Sequence, residues 1–283
     1  MPLPLQSWSL STKRIQLVVA YDGTDFCGWA AQKGLRTVHS ILTTEVRQIT
    51  GEETVLVGAS RTDSGAHAKG QVCHFETEVP IEPSRWATIL NRKLPGDLAV
   101  VRSKQVPKTC HSRFSPLDRH YRYRIHMGVR DPERDRYTFN TWYKIDAGQI
   151  HLAAQVLQGV HDFRGFSEEL EEDANSIREI YSIQVSQRKD EIHLDIVGTA
   201  FLRGMMRRIA GGLFEVGRGH RPAKDLKTLL NPKTRDSLVW PVVLPARGLT
   251  LMKIRYGRPY HGESQLYEKA TNLEQTIREM NNE

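Results

Sequence analysis

Hydrophobic periodicity in this chain spells one order of elements twice: strand, helix, strand, strand, helix, strand. In the first pass, residues 15–21 form an apolar strand that ends at the turn Asp22-Gly23. Thr37 is placed to cap a helix reaching about Thr50, with Val38, Ile41, Leu42, Val46 and Ile49 at helical spacing and Gly51 as its stop. Residues 54–57 read as a short strand, and 58–70, rich in Gly, Ser, Asp and His, as a long loop. A strand follows at 71–77, then a helix from Pro83 to about Lys93 stopped by Pro95-Gly96, then a strand at 98–106.

The second pass begins with strict alternation over 120–127. Tyr121, Tyr123, Ile125 and Met127 take one face, and His120, Arg122, Arg124 and His126 the other. Asp146 is placed to cap a helix reaching Gln158. Strands at 177–187 and 191–197 are joined by a polar turn at 188–190, and a helix at 203–216 is extended by a short one after Pro222. The last strand is 249–256.

The order repeats although the residues do not. The simplest α/β (α+β) architecture with this order is two tandem ferredoxin-like β-α-β-β-α-β halves forming a mixed sheet with a central cleft. The expected domains are 1–112 and 113–260, with the boundary near 105–118, where Pro107 and Pro116 interrupt the periodicity. A polar tail, 261–283, follows, in which about 265–280 either form an amphipathic helix or fray.

Charge narrows the partner. The chain of 283 residues has a formal net charge of +7, with 39% hydrophobic and 26% charged residues, a soluble globular composition. Residues 1–112 carry 13 basic and 10 acidic side chains, 113–260 carry 25 and 18, and the tail 2 and 5. Arg dominates the basic residues of the middle segment, and its planar fork suits phosphate. A polyanion, nucleic acid first, is the expected partner, although a basic balance also serves solubility alone. Apolar runs such as 15–20 are too short to span a bilayer. The start MPLPLQSWSLSTKR has no apolar stretch behind a basic one, so no signal peptide is expected. Cys27, Cys73 and Cys110 are scattered, with no CxxC pair, which disfavours a zinc ribbon or a disulfide framework and fits a reducing cytoplasm.

The most unusual stretch is Ala59-Ser60-Arg61-Thr62-Asp63-Ser64-Gly65-Ala66-His67. A surface turn explains it, with Asp63 bonding its own backbone and Gly65 at positive φ. A catalytic carboxylate held ionised by a nearby cation explains it as well. Spacing alone leaves both open.

This stretch resembles the GRTDAGVHA signature of the TruA family of tRNA pseudouridine synthases. Eight further blocks follow the family's order from about residue 15 to 256. Tyr21-Asp22-Gly23-Thr24 with Phe26-Cys27-Gly28-Trp29 resembles YDG…GW. Gly70-Gln71-Val72 with His74-Phe75 resembles GQV.HF, and Asn91, Leu94-Pro95 and Asp97 resemble N..LP.D. His111-Ser112-Arg113-Phe114 resembles HARFSA, and the strand from Arg119 to Arg124 resembles R.YRY. His161-Asp162-Phe163 with Phe166, the stretch from Phe201 to Arg207, and Gly248-Leu249 with Leu251 resemble.DF..F, F...M.R and GL.L.

The resemblance implies a homodimer of two ferredoxin-like α/β halves per chain. It implies isomerisation of uridine on the 3′ side of the tRNA anticodon stem-loop, at tRNA positions 38–40, without cofactor or metal. Asp63 matches the nucleophile, attacking C1′ of the ribose or C6 of the base or otherwise promoting base detachment. Arg61 matches the basic residue linked to base flipping. Tyr121 matches the active-site tyrosine, stacking on uracil or moving a proton, and Arg207 the arginine paired with the aspartate. Leu249 lies in the block that supplies an apolar pocket wall. His111 and Arg113 lie in a matched block and are expected at the substrate. Arg203, one helical turn from Arg207, makes a phosphate-binding stripe or a solvated face, and Arg122 and Arg124 are further candidates for phosphate contact.

Departures from the family pattern are Ser60 for Gly, Ser64 for Ala and Ala66 for Val, all small, and Trp29-Ala30-Ala31-Gln32 in place of a more polar stretch. The pairs Cys73-His74 and Cys110-His111 lack zinc spacing, and the acidic run 168–173 reads as a solvated loop. A non-catalytic tRNA-binding or RNA-chaperone module is the alternative from another class. A carboxylate hydrolase lacks a second carboxylate tied to Asp63.

Overall fold

The structure, a computed structural model, describes residues 12–168, 170–171, 173–238 and 241–257. The tail 261–283, its 265–280 segment and the first eleven residues lie outside the described residues, as do two positions of the acidic run.

In chain order the elements are β1 (Lys13–Tyr21), α1 (Val38–Thr50), β2 (Val57–Gly58), β3 (His67–Thr77), α2 (Trp86–Asn91), β4 (Leu98–Val106) and β5 (Pro116–Met127). Then come α3 (Pro132–Asp135), β6 (Phe139–Thr141), α4 (Ala147–Ala154), β7 (Gly159–Asp162), β8 (Ile177–Arg188), β9 (Glu191–Gly198), α5 (Met205–Gly217), α6 (Lys224–Leu230) and β10 (Leu249–Tyr256). Local chemistry explains several ends. Thr37 Oγ1 accepts the Ser40 N–H at the start of α1, and Gly51, at φ 68°, donates its N–H to the Arg47 carbonyl at the end. Asp146 accepts the Gly148 and Gln149 N–H groups at the start of α4. Along β1 the apolar side chains Ile15, Leu17, Val19 and Tyr21 alternate into the core, and α1 covers them with Val38, Leu42 and Val46.

One sheet runs through the molecule in the order β4-β1-β3-β10-β5-β9-β8-β7, with β2 on β3 and β6 on β5. Counting each half by its own strands, both read four-one-three-two: β4-β1-β3-β2 and β10-β5-β9-β8. That is the ferredoxin-like arrangement. The halves join at a short parallel seam, where Thr250 faces His67 and Leu251 faces Ala68. With β5–β6 also parallel and the other pairs antiparallel, the sheet is mixed.

Several expected boundaries move. The strand expected at 54–57 shrinks to Val57–Gly58. The Thr54 N–H turns back to the Glu52 carbonyl and the Thr54 carbonyl is taken by Arg47, so neither is left for a ladder. The loop ends at Ala66 rather than Gly70, because β3 starts at His67 to pair with the distant β10. The helix from Pro83 is a 3₁₀ turn, Pro83–Arg85, followed by α2. Its end is drawn onto β4 by the Asn91 amide, which bonds both backbone groups of Val100. The α4 helix stops at Ala154 and passes into a 3₁₀ turn, Gln155–Leu157. α5 begins at Met205, not 203, because Gly204 sits at φ 69°. Finally, α3, β6 and β7 arise where no periodic segment is legible.

Candidate active site

The 59–66 loop connects β2 to β3, and its backbone is held at almost every residue. Ala59 donates to the Val72 carbonyl at 2.8 Å, and its own carbonyl accepts from Arg119 Nη2 at 3.3 Å. The Ser60 carbonyl accepts from the Gln71 amide at 2.7 Å, and the Thr62 carbonyl from the Trp29 N–H at 3.1 Å. Thr62 Oγ1 bonds the buried Tyr21 hydroxyl at 2.8 Å. The Asp63 carbonyl accepts the Ala66 N–H, and Gly65, at φ 80°, donates to the Phe26 carbonyl. The 21–29 segment approaches so closely that a Cβ on Gly23 would lie 2.0 Å from the Ala66 carbonyl oxygen. A loop anchored through its main chain has side chains to spare for a ligand.

Asp63 meets Arg207 of α5. Arg207 Nη1 donates to Asp63 Oδ2 at 3.2 Å while Arg207 Nε donates to the Leu244 carbonyl at 2.7 Å, which fixes the guanidinium plane. The two side chains are 27% and 21% exposed, so the carboxylate is shielded yet reachable. Tyr121, on β5, is buried, and its ring packs edge-on against Phe201 with centroids 5.1 Å apart. Its hydroxyl lies 2.7 Å from Ser60 Oγ. Burial pushes the Tyr121 phenol up; the Ser60 hydrogen bond and the Arg119 charge oppose this, and the Asp63 charge adds to it. Leu249 opens β10, is buried, and sits opposite Tyr123 in register. The Tyr123 hydroxyl donates to the Pro245 carbonyl, just after the Leu244 carbonyl that holds Arg207.

The other expected positions are spread around this core. Arg61 is exposed and makes no hydrogen bond or ion pair among the described residues. His111 Nδ1 accepts the Arg113 and Phe114 N–H groups, and its ring stacks on the exposed Phe114 at 4.5 Å. Arg113 is exposed, with its guanidinium 5.6 Å from the Phe114 ring centre. Its carbonyl accepts from Arg119 Nη2, the same nitrogen that bonds Ala59. Arg119 thus ties the 111–115 turn to the Asp63 loop. Arg203 lies outside α5, with its side chain 66% exposed and its Nε 4.0 Å from Glu168, so it shares no helical stripe with Arg207.

Arg122 and Arg124, expected as phosphate contacts, are instead held on the opposite face of β5. Arg122 grips Asp195 with two nitrogens at 2.9–3.2 Å, and Arg124 grips Glu191 likewise. Their alternation with Tyr121 and Tyr123 was legible; the acids of β9 that hold them were not. Ser60 and Arg119 are parts of the site that residue type alone did not single out, although both stand inside matched blocks. Among the described residues, no cluster of three or more His, Cys, Asp or Glu is placed to hold a metal ion, and the three cysteines are free thiols.

His67 closes the loop. Its Nδ1 accepts the Gly23 N–H at 2.9 Å, so in the neutral ring Nε2 carries the hydrogen and faces the carbonyls of Arg136 at 2.9 Å and Arg247 at 3.1 Å. Burial lowers its pKa and favours that neutral form.

The family model described as tRNA pseudouridine synthase matches residues 17–115 and 153–257. The tRNA pseudouridine synthase A of Anoxybacillus flavithermus is 38% identical over 245 residues, covering 86% of this chain and 99% of that one. Those of Clostridium kluyveri and Clostridium acetobutylicum are 38% and 34% identical over 245 residues, each covering 86% of this chain and 100% of the relative. Such a match, running through both halves of the sheet, shows that this chain belongs to the TruA family of tRNA pseudouridine synthases.

Proposed function

We propose that this chain isomerises uridine in the anticodon stem-loop of tRNA, on its 3′ side, with Asp63 as nucleophile. In the isomerisation the C1′–N1 bond breaks and a C1′–C5 bond forms. One proton leaves C5 and one is carried by N1 in the product, so atoms balance without cofactor, metal or redox partner. The observation that carries the reading is the Asp63–Arg207 contact. It joins a loop of the first half to a helix of the second, within electrostatic reach of the Tyr121 phenol. In this reading Asp63 attacks C1′ or C6, Arg207 holds the carboxylate ionised and aimed, and Tyr121 faces the uracil for stacking or proton transfer. Leu249 lines the apolar side. Arg61, exposed and unpaired among the described residues, fills the gap left by a flipped base. His111, Arg113 and Arg203 contact the RNA backbone around it. The reading extends to a homodimer in which one protomer steadies the tRNA body while its partner modifies it, and to a cytoplasmic enzyme. No helix among the described residues is long and apolar enough to cross a membrane.

The test is Asp63→Asn assayed on unmodified tRNA. Pseudouridine formation should fall by at least about 10³-fold, with tRNA affinity little changed. An Asp63→Asn enzyme that modifies tRNA at the normal rate ends the nucleophile assignment.

A further inference from the structure

We propose that Ser60 is a positioning residue: its hydroxyl sets the rotation of the Tyr121 O–H and thereby the rate of the step in which that phenol takes part. The inference rests on the reading above, in which Tyr121 faces the uracil.

Almost every degree of freedom of Tyr121 is already fixed by something other than Ser60. Its backbone lies inside the sheet, opposite Ile196 on one side and Leu251 on the other. Its ring is buried and braced edge-on by Phe201. What remains free is the torsion about the phenolic C–O bond, which decides where the hydrogen and the lone pairs point. The one hydrogen-bonding neighbour of that oxygen among the described residues is Ser60 Oγ, at 2.7 Å.

Ser60 is itself well placed to act as a fixed donor. Its carbonyl is held by Gln71 Nε2 at 2.7 Å, and Gln71 is locked in turn because its Oε1 accepts the Val72 N–H at 3.1 Å. The residue before it is held at both backbone groups, by Val72 and by Arg119. Two hydroxyls in one contact have two hydrogens and need only one of them. When Ser60 donates, the Tyr121 hydrogen is released towards the substrate side and the phenol oxygen is stabilised as it gains negative charge. The Ser60 bond does work against the upward pull of burial on this phenol. Ser60 also stands three residues before Asp63 in one anchored loop, so the carboxylate and the hydroxyl that orients the phenol keep a fixed spacing.

The test compares Ser60→Ala, Ser60→Thr and Ser60→Gly with the unaltered enzyme, alone and with Tyr121→Phe, by single-turnover and steady-state rates on unmodified tRNA. Losing one neutral hydroxyl contact should lower kcat by about fivefold in Ser60→Ala and Ser60→Gly, with KM unchanged. Ser60→Thr, which keeps the hydroxyl, should recover most of the rate. In the Tyr121→Phe background the Ser60→Ala change should cost nothing further. The proposal is overturned if Ser60→Ala and Ser60→Gly both keep full kcat, if Ser60→Thr is as slow as Ser60→Ala, or if the loss persists undiminished with Tyr121→Phe. Asp63→Asn run in parallel separates this from the broader reading. An active Asp63→Asn enzyme removes the reading, whereas an inactive one beside a fully active Ser60→Ala enzyme removes only the role of Ser60.

Discussion

The second strand of each half shows how two equal topologies came to do different work. In the second half that strand is β8, twelve residues long, paired with β9 from Ile180 to Arg188 and with β7 from Ile177 to Ile180. In the first half it is β2, two residues long. The shortening has two results. It releases residues 59–66 from the sheet to form the loop that carries Asp63. It also leaves the start of β3 open, and β10 of the second half takes that edge at His67 and Ala68. The seam and the candidate site therefore have one origin, a ladder that stops early. A complete strand stiffens its half; a truncated one presents a carboxylate to the other.

The sharpest way to break this comparison is to cut the contact that crosses between halves. Arg207→Met should lower kcat by about 10²-fold or more while tRNA affinity changes little, because the carboxylate loses its charged partner. As a control, Arg235→Met removes an ion pair of similar geometry with Asp162 that lies wholly in the second half. It should lower the melting temperature and leave kcat per folded molecule unchanged. Equal kcat losses in the two variants would erase the functional distinction between the halves.

A smaller effect is expected from crowding the loop. In Gly23→Ala the new Cβ meets the Ala66 carbonyl at 2.0 Å, so the loop must shift, at a cost of about 3 kcal/mol and much of the activity. Gly128→Ala in the second half introduces only backbone strain, since φ is +113° and nothing lies within 4 Å, and should cost about 1 kcal/mol. Urea unfolding of the two variants measures both.

The smallest effect concerns what covers β3 after β2 ends. His74 faces Val57, and its Nδ1 accepts the Ser112 N–H at 3.2 Å, so the turn before β5 takes over as cover. Burial and the nearby Arg14 charge lower the His74 pKa to about 4. With the folded pKa below the usual value near 6.5, the unfolded chain binds the extra proton. The stabilisation is whole above about pH 6.5 and is lost as pH falls towards about 4. His74→Gln should flatten the melting temperature over that interval. An unchanged slope would show that another group carries the acid sensitivity.

Where local chemistry decides, the sequence was a sufficient guide. Thr37 and Gly51 bracket α1, and the alternation of β5 predicts the burial of Tyr121, Tyr123 and Ile125, though not that of His126 at its end. Where a distant partner decides, it was not. The start of β3 depends on β10, and β6 and β7 exist only because longer strands offer them an edge. The same divide runs through the site. Asp63, Tyr121 and Arg207 are legible through their motifs. Ser60 reads as one small residue replacing another until Tyr121 is found 2.7 Å away, and Arg122 reads as a phosphate contact until Asp195 is found opposite.

The seam has a consequence for how RNA must behave. His67 bonds the first half through the Gly23 N–H and faces two carbonyls of the second, directly beside the parallel pair of β3 and β10. A hinge at this place would have to break ladder bonds and strand a buried imidazole together. The protein is thus built as an anvil rather than a jaw. On the proposed reading, in which Asp63 meets a uridine taken out of its stack, the distortion falls on the nucleic acid, and RNAs whose stem yields easily at that point are the ones this surface favours.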